Sequence, residues 1–201
     1  MSMTQAPRLH RRAALLLPLA GTALLAARPA RAEATLDSVM RGLAAIPASR
    51  AEFTETKSLA ELTTDLPSSG TLSWTAPDRV EKHTLEPVEE ILRIQGDRLV
   101  FERPGMGLRR ELSLDQSPEL RPLVESIRAT LAGDLVTLRR HYEVTFRPGT
   151  GESWTMRLVP LAARVRMALQ EVTVAGRGAT VLAVESIGNE GTTRMRITPR
   201  P

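Results

Sequence analysis

No cysteine occurs anywhere in the 201 residues. That excludes a structural disulfide, a thiolate metal site and a cysteine nucleophile. It also leaves no side chain for lipid attachment after an export signal, so the chain is not expected to be an anchored lipoprotein. Histidine is scarce. Beyond residue 32 only His83 and His141 occur, and no HxH, HxxxH or HExxH spacing joins them, which makes a poor metal site. His83 stands between Lys82 and Thr84 in a polar strand pattern, and His141 ends a helical pattern where a cation complements the macrodipole. The sequence has no GxSxG elbow, no Walker-type loop and no GxGxxG opening a helix after a strand. Gly105-Met106-Gly107 and Gly176-Arg177-Gly178 sit in hairpin turns, and Glu89-Glu90 would point to opposite faces of one strand. The expectation is therefore no catalytic residue, no metal ligand and no cofactor.

A long uninterrupted apolar run is also missing. The stretch from Ala13 to Ala27 is broken by Pro18 and Gly21, too short for a stable span. Arg8, Arg11 and Arg12 precede it and Ala30-Arg31-Ala32 follows, the layout of an export signal cleaved after Ala32. The Arg11-Arg12 pair keeps the twin-arginine route open beside the general secretory one. The expected domains are residues 1–32 as signal and 33–201 as one folded domain in the periplasm. Without the five arginines of the signal, 22 basic and 23 acidic residues remain, a net charge of −1. A nucleic-acid reading built on the precursor's positive charge then has no support. Arginine supplies nearly all the basic residues, so pairs such as Arg139-Arg140 follow from composition.

What the mature part does contain is period-two patterning in runs. Ser68 to Arg103 predicts consecutive antiparallel strands, with a Pro77-Asp78 turn and a tight Gly96-Asp97 turn. One face of that meander would carry Leu72, Trp74, Ile94, Leu99 and Phe101. Before it, Thr35 to Ile46 predicts a short amphipathic helix capped by Thr35, and Arg50 to Leu62 a first strand with Phe53 inward. Thr63 to Ser69 reads as a loop. After Leu114 the period switches. Leu120, Leu123, Val124, Ile127 and Leu131 predict a helix over Ser117–Ala132, with Ser117 as N-cap and Pro118 at its first position. Gly133 ends it and Asp134 caps a second helix through His141. Strands resume at Tyr142–Arg147 and Ser153–Pro160; Leu161–Leu169 fits either a helical turn or a strand. Three more strands close the chain. Ten or eleven strands with turn signals at short intervals favour a sandwich or barrel over βαβ units. A strongly curved, mainly antiparallel β-sheet with helices on its concave side fits best. Trp74, Phe101, Phe146 and Trp154 at period two suit either an ordinary core or the wall of an acyl-chain cavity, and the pattern leaves both open.

Phe53 with the Leu59–Leu66 segment, then SGTLSWTAPDRVE and ILRIQGDRLVFE, resembles the early half of the LolA lipoprotein-carrier family. The spacing of Gly70, Leu72 and Pro77, with Gly96-Asp97 downstream, carries most of the likeness. ESIRATLAGDLVTLRRHYEVTF and the Trp154, Leu158, Pro160 strand look closer to a divergent branch. The resemblance implies an incomplete β-barrel with an N-terminal helix and a helical lid. It implies an interior lined by Leu72, Trp74, Leu99 and Phe101 and a lid built from Leu120, Leu123, Val124 and Ile127; Phe146 and Trp154 join the expected lipid-binding set. In the family an arginine before the turn proline latches the lid, whereas Thr75-Ala76 stand there in this chain. The expected function is a soluble, monomeric periplasmic carrier. It would take an acylated client (lipoprotein, glycolipid or other acyl lipid) from an inner-membrane exporter towards an outer-membrane acceptor. A non-transporting lipid-sensing or scaffold module and an envelope lipid-modifying enzyme are the competing classes.

Overall fold

The computed structural model describes residues 33–117 and 120–200. The expected signal, its cleavage after Ala32 and the placement of Pro118 at a helix start lie outside those residues. The N-terminal helix α1 (Leu36–Ala44) begins as the sequence predicts. Thr35 accepts from the Ser38 backbone while Ser38 answers the Thr35 amide, a closed capping box. Its buried stripe is Val39, Met40 and Leu43.

Eleven strands follow: β1 (Ala48–Leu59), β2 (Leu66–Thr75), β3 (Arg79–Glu86), β4 (Glu90–Gln95), β5 (Arg98–Arg103), β6 (Leu108–Ser113), β7 (Tyr142–Pro148), β8 (Ser153–Pro160), β9 (Leu169–Arg177), β10 (Thr180–Gly188) and β11 (Gly191–Arg200). They form one antiparallel sheet in the order β6-β5-β4-β3-β2-β1-β11-β10-β9-β8-β7, which does not close into a barrel. The first and last strands meet at its centre, Phe53 opposite Ile197. The segment expected as a loop before Ser69 instead belongs to β2 from Leu66, because Lys57 and Thr56 of the long β1 pair with Leu66 and Pro67. The ambiguous stretch resolves into a four-residue helix, α4 (Ala163–Arg166), and then the start of β9.

Edge strands β6 and β7 are joined by helices α2 (Arg121–Leu131) and α3 (Leu135–His141). A connection between the two edges of a curved sheet crosses its mouth, which sets these helices over the concave side. The predicted helix from Ser117 starts at Arg121, and the Ser117 carbonyl accepts from the Leu120 amide in the turn before it. Gly133 makes the sharp α2–α3 turn at φ +65, and a Cβ there would lie 2.1 Å from the Met40 carbonyl oxygen of α1. The turn is thus pressed against α1. Asp134 caps α3 by accepting from the Thr137 amide at 2.9 Å, and hydrogen bonding from the Thr137 hydroxyl and then from that amide lowers its pKa.

Candidate functional site

Cross-strand pairing decides which side chains share the concave face. Trp74 stands opposite Val80, Val80 opposite Ile94 and Ile94 opposite Leu99. One row along, Leu72, Lys82, Leu92 and Phe101 follow in the same way. The five residues assigned to one face of the meander do share it. The convex face carries charge instead: Arg93 donates to Glu81 and to Glu102, each at 2.7 Å. His83 is on that side, 2.9 Å from Glu89, with its partner strand residue Thr71.

Helices fill the two wings of the concave face and leave its centre open. On one wing Val39, Met40 and Leu43 of α1 and Leu138 of α3 pack with Trp154, Met156, Leu158, Val172 and Val174. On the other wing Val124 of α2 packs with Ile94 and Leu114, joined at the edges by Val80, Leu99 and Leu120. Between these two cores lies a cavity of about 360 Å³, at the low end of the ~300–1,000 Å³ usual for small-molecule sites. Its floor comes from the central strands, with Ala51, Leu72, Trp74, Val184, Met195 and Ile197. Its roof is the C-terminal part of α1 (Leu43, then Ile46) and one side of α2 (Ser126, Ile127, Thr130, Leu131). The two hydroxyls on that roof are occupied by their own helix. Ser126 donates to the Leu123 carbonyl and Thr130 to the Ser126 carbonyl, both at 2.7 Å. The lining that remains is almost wholly hydrocarbon.

Of the ten residues singled out from the sequence, Leu72, Trp74 and Ile127 line this cavity. Trp74 is 3% exposed, and its indole N–H donates to the Ile46 carbonyl at 3.4 Å, tying the floor to the end of α1. Leu99, Leu120 and Val124 sit in the neighbouring core. Leu123 is exposed on the outside of α2. Phe101 shares the concave face but lies under the Arg103 guanidinium, 5.6 Å from the ring centroid. Phe146 and Trp154 stack in the opposite wing with centroids 6.3 Å apart, and the Trp154 indole donates to the Gly178 carbonyl at 2.8 Å. Eight of the ten therefore lie in the cavity or in the two cores that frame it, and Leu123 and Phe101 lie in neither. The floor residues of β1, β10 and β11 were missed. Ala51 stands directly opposite Leu72 across the β1–β2 pairing, whereas Val184, Met195 and Ile197 reach the floor through the pairing of the chain's two ends, for which no local pattern gives a signal.

The lid α2 is held at its two ends. Arg121 reaches Asp97 at 2.7 Å and Arg128 donates to the Gly96 carbonyl at 2.9 Å, both on the β4–β5 turn. That turn is tied in turn to β2–β3, because the Gly96 amide donates to Asp78 at 2.8 Å. On the far side, the hydroxyl of buried Tyr142 donates to the Pro122 carbonyl at 3.1 Å, and burial pushes its pKa up. Ala76, just before Pro77, donates its amide to the Pro47 carbonyl at 2.8 Å.

Among the described residues, no group of three or more His, Asp or Glu side chains is placed to hold a metal ion, and no helix is long and apolar enough to cross a membrane.

Residues 26–198 match the model of a family described as outer membrane lipoprotein carrier protein LolA-like. No curated protein sequence matches. Among solved structures, a LolA superfamily protein from Nitrosomonas europaea aligns at 10% identity over 83% of this chain and 94% of its own, with a TM-score of 0.40. The lipoprotein LppX from Mycobacterium tuberculosis aligns at 10% identity over 80% and 90%, with a TM-score of 0.43. LprF from Mycobacterium bovis gives 9% identity over 81% and 89%, with a TM-score of 0.38.

Proposed function

We propose that this protein, which belongs to the family of LolA-like outer membrane lipoprotein carrier proteins, is a periplasmic carrier that shields the acyl chain of a lipidated client. The observation that carries this reading is the cavity. It is apolar, framed by two packed cores and roofed by the end of α1 and by α2, which lies in the connection between the sheet's two edges. A fully packed protein of this size has few voids larger than a water molecule, so an apolar space of this volume is a feature to be explained. Apolar burial is worth ~0.8 kcal/mol per methylene, enough for a long chain to bind firmly without covalent chemistry or nucleotide.

In this mechanism the client's chain enters between α2 and the β3–β5 wing, lifting the lid from the β4–β5 turn. The Arg121–Asp97 contact is partly exposed and yields at modest cost, whereas Arg128 is mostly buried and is the firmer of the two. Release follows when a more hydrophobic acceptor competes for the chain. The cavity is small, so a client with several chains needs the lid displaced to be accommodated. Transfer of labelled acyl lipid between donor and acceptor vesicles tests the proposal. The protein should speed transfer, and Leu72→Glu should abolish that effect while the variant stays folded. No acceleration by the wild-type protein would turn the reading towards a lipid-sensing or scaffold module.

A further inference from the structure

Two charged pairs stand on the concave face, and one of them reaches the cavity through its lysine. Lys82, placed across the strands between Leu72 and Leu92, is part of the cavity lining. Its ammonium sits 4.9 Å above the ring of Phe53 and 2.7 Å from Glu55 Oε2. Glu55 is on β1, two strands away across β2, and its other oxygen is 3.4 Å from the hydroxyl of Ser68 on β2. The two side chains are only 27% and 15% exposed. Lysine is also unusual in this chain, standing only at positions 57 and 82 where every other basic residue is arginine. An ammonium is a compact charge with three donors, suited to a small oxygen acceptor, whereas guanidinium offers a planar fork suited to carboxylate or phosphate.

A pair of this kind does little for stability, since half-buried ion pairs give back in desolvation much of what they gain. Among the described residues Glu55 is the acceptor that Lys82 reaches, leaving two N–H donors for whatever occupies the cavity. Glu55 Oε1, weakly held by Ser68, is an available acceptor. The site thus offers donors and an acceptor side by side, with no net charge.

We infer that Lys82 and Glu55 form the polar anchor of the cavity and select a client whose acyl chain ends in an uncharged, hydroxyl- or amide-bearing head, the chemistry of an acylglycerol or glycolipid. A hydroxyl there accepts from Lys82 and donates to Glu55 at once. A free carboxylate or phosphate head would add a negative charge beside a carboxylate that is largely withdrawn from water, and is disfavoured. Arg103 with Glu90, at 2.6 Å over Phe101, repeats the pattern on the same face but does not line the cavity. It serves as an internal control.

The inference rests on the acyl-carrier reading, and matched ligands separate the two. Binding of monopalmitoylglycerol, palmitic acid and palmitoyl lysophosphatidic acid is compared in displacement of a fluorescent acyl probe. Wild-type protein should favour the glycerol ester by about tenfold, the scale of one or two hydrogen bonds to charged groups. Lys82→Met alone leaves Glu55 unpaired, so the double variant K82M/E55M is the informative one: it replaces the pair with apolar side chains of similar length and should keep its melting temperature. Its preference should fall to near unity, whereas R103M/E90M keeps the wild-type preference. Equal binding of all three ligands by wild type, or tightest binding of the acid or phosphate, overturns the anchor while the carrier reading stands. Binding of none of the three overturns the carrier reading itself.

Discussion

Arg128 of the lid helix donates to the carbonyl oxygen of Gly96 across 2.9 Å, joining residues 32 positions apart. Its side chain is 20% exposed, and Glu125, one turn back, holds it in place at 3.5 Å. Arg121 anchors the other end of the helix to Asp97 on the same turn. Removing both arginines should loosen α2 without unfolding the sheet. We expect R121A/R128A to speed hydrogen exchange of the α2 amides at 121 and 123–131 selectively, by an opening free energy on the order of 1–2 kcal/mol. Unchanged exchange in that segment would show that Val124 packing and the Tyr142–Pro122 hydrogen bond hold the lid without the arginines.

The same turn carries an acid-sensitive element. Hydrogen bonding with Asp115 holds the Asp97 carboxyl below the usual carboxylate range, and the same contact pushes Asp115 above it. Neither residue is on the lid, so lifting α2 removes only the part of each shift that Arg121 supplies, and Arg121 lowers both carboxyls. Both therefore favour the closed form when ionised, and that contribution is lost as pH falls through their folded-state values. Lid protection should fall steadily on acidification, as read by hydrogen exchange of α2 across the acid range, and D97N/D115N should flatten that profile. A rise in protection on acidification of the wild type would contradict this.

Cavity and core residues should separate by phenotype. Leu72→Glu puts a carboxylate on the cavity floor and should weaken acyl-probe binding by at least about tenfold, with a melting temperature close to wild type. Leu114 is fully buried beside Val124. Leu114→Ala should cost roughly 2–5 kcal/mol in denaturant unfolding while the folded fraction still binds probe. Equal effects of both changes on binding would mean that cavity and wing form one continuous core.

Gly70 is set by its neighbours. A Cβ there would fall 2.0 Å from the His83 carbonyl oxygen, where β3 slips register against β2. Gly70→Ala should cost about 1–3 kcal/mol by forcing the strands apart. A melting temperature equal to wild type would show that the bulge can shift.

Local signals carried much of the fold. The Thr35 cap, the Asp134 cap, the Gly96-Asp97 turn and the alternation of Leu72 with Trp74 each depend on residues a few positions apart, so the chain displays them directly. The cavity depends on contacts that no short window contains. Ile197 reaches the floor because β11 pairs with β1. Leu43 and Ile46 reach the roof because α1 folds back over the sheet. Phe101 and Trp154 show the limit of period-two reasoning. Their strand faces are the concave ones, but whether a concave residue meets a void or a neighbour depends on how the helices lie across it. Lys82 was legible only as a polar strand residue beside His83; the pairing with Glu55, 27 positions away, gives it an interior role.

The central claim is that the space between the two cores is built to hold an acyl chain. Native mass spectrometry of the protein, gently isolated from the cells that make it, tests it most directly. The account predicts a discrete added mass released as an acyl lipid on extraction, absent from Leu72→Glu protein prepared in the same way. A clean apo mass, with no uptake of acyl lipids offered afterwards, would contradict it.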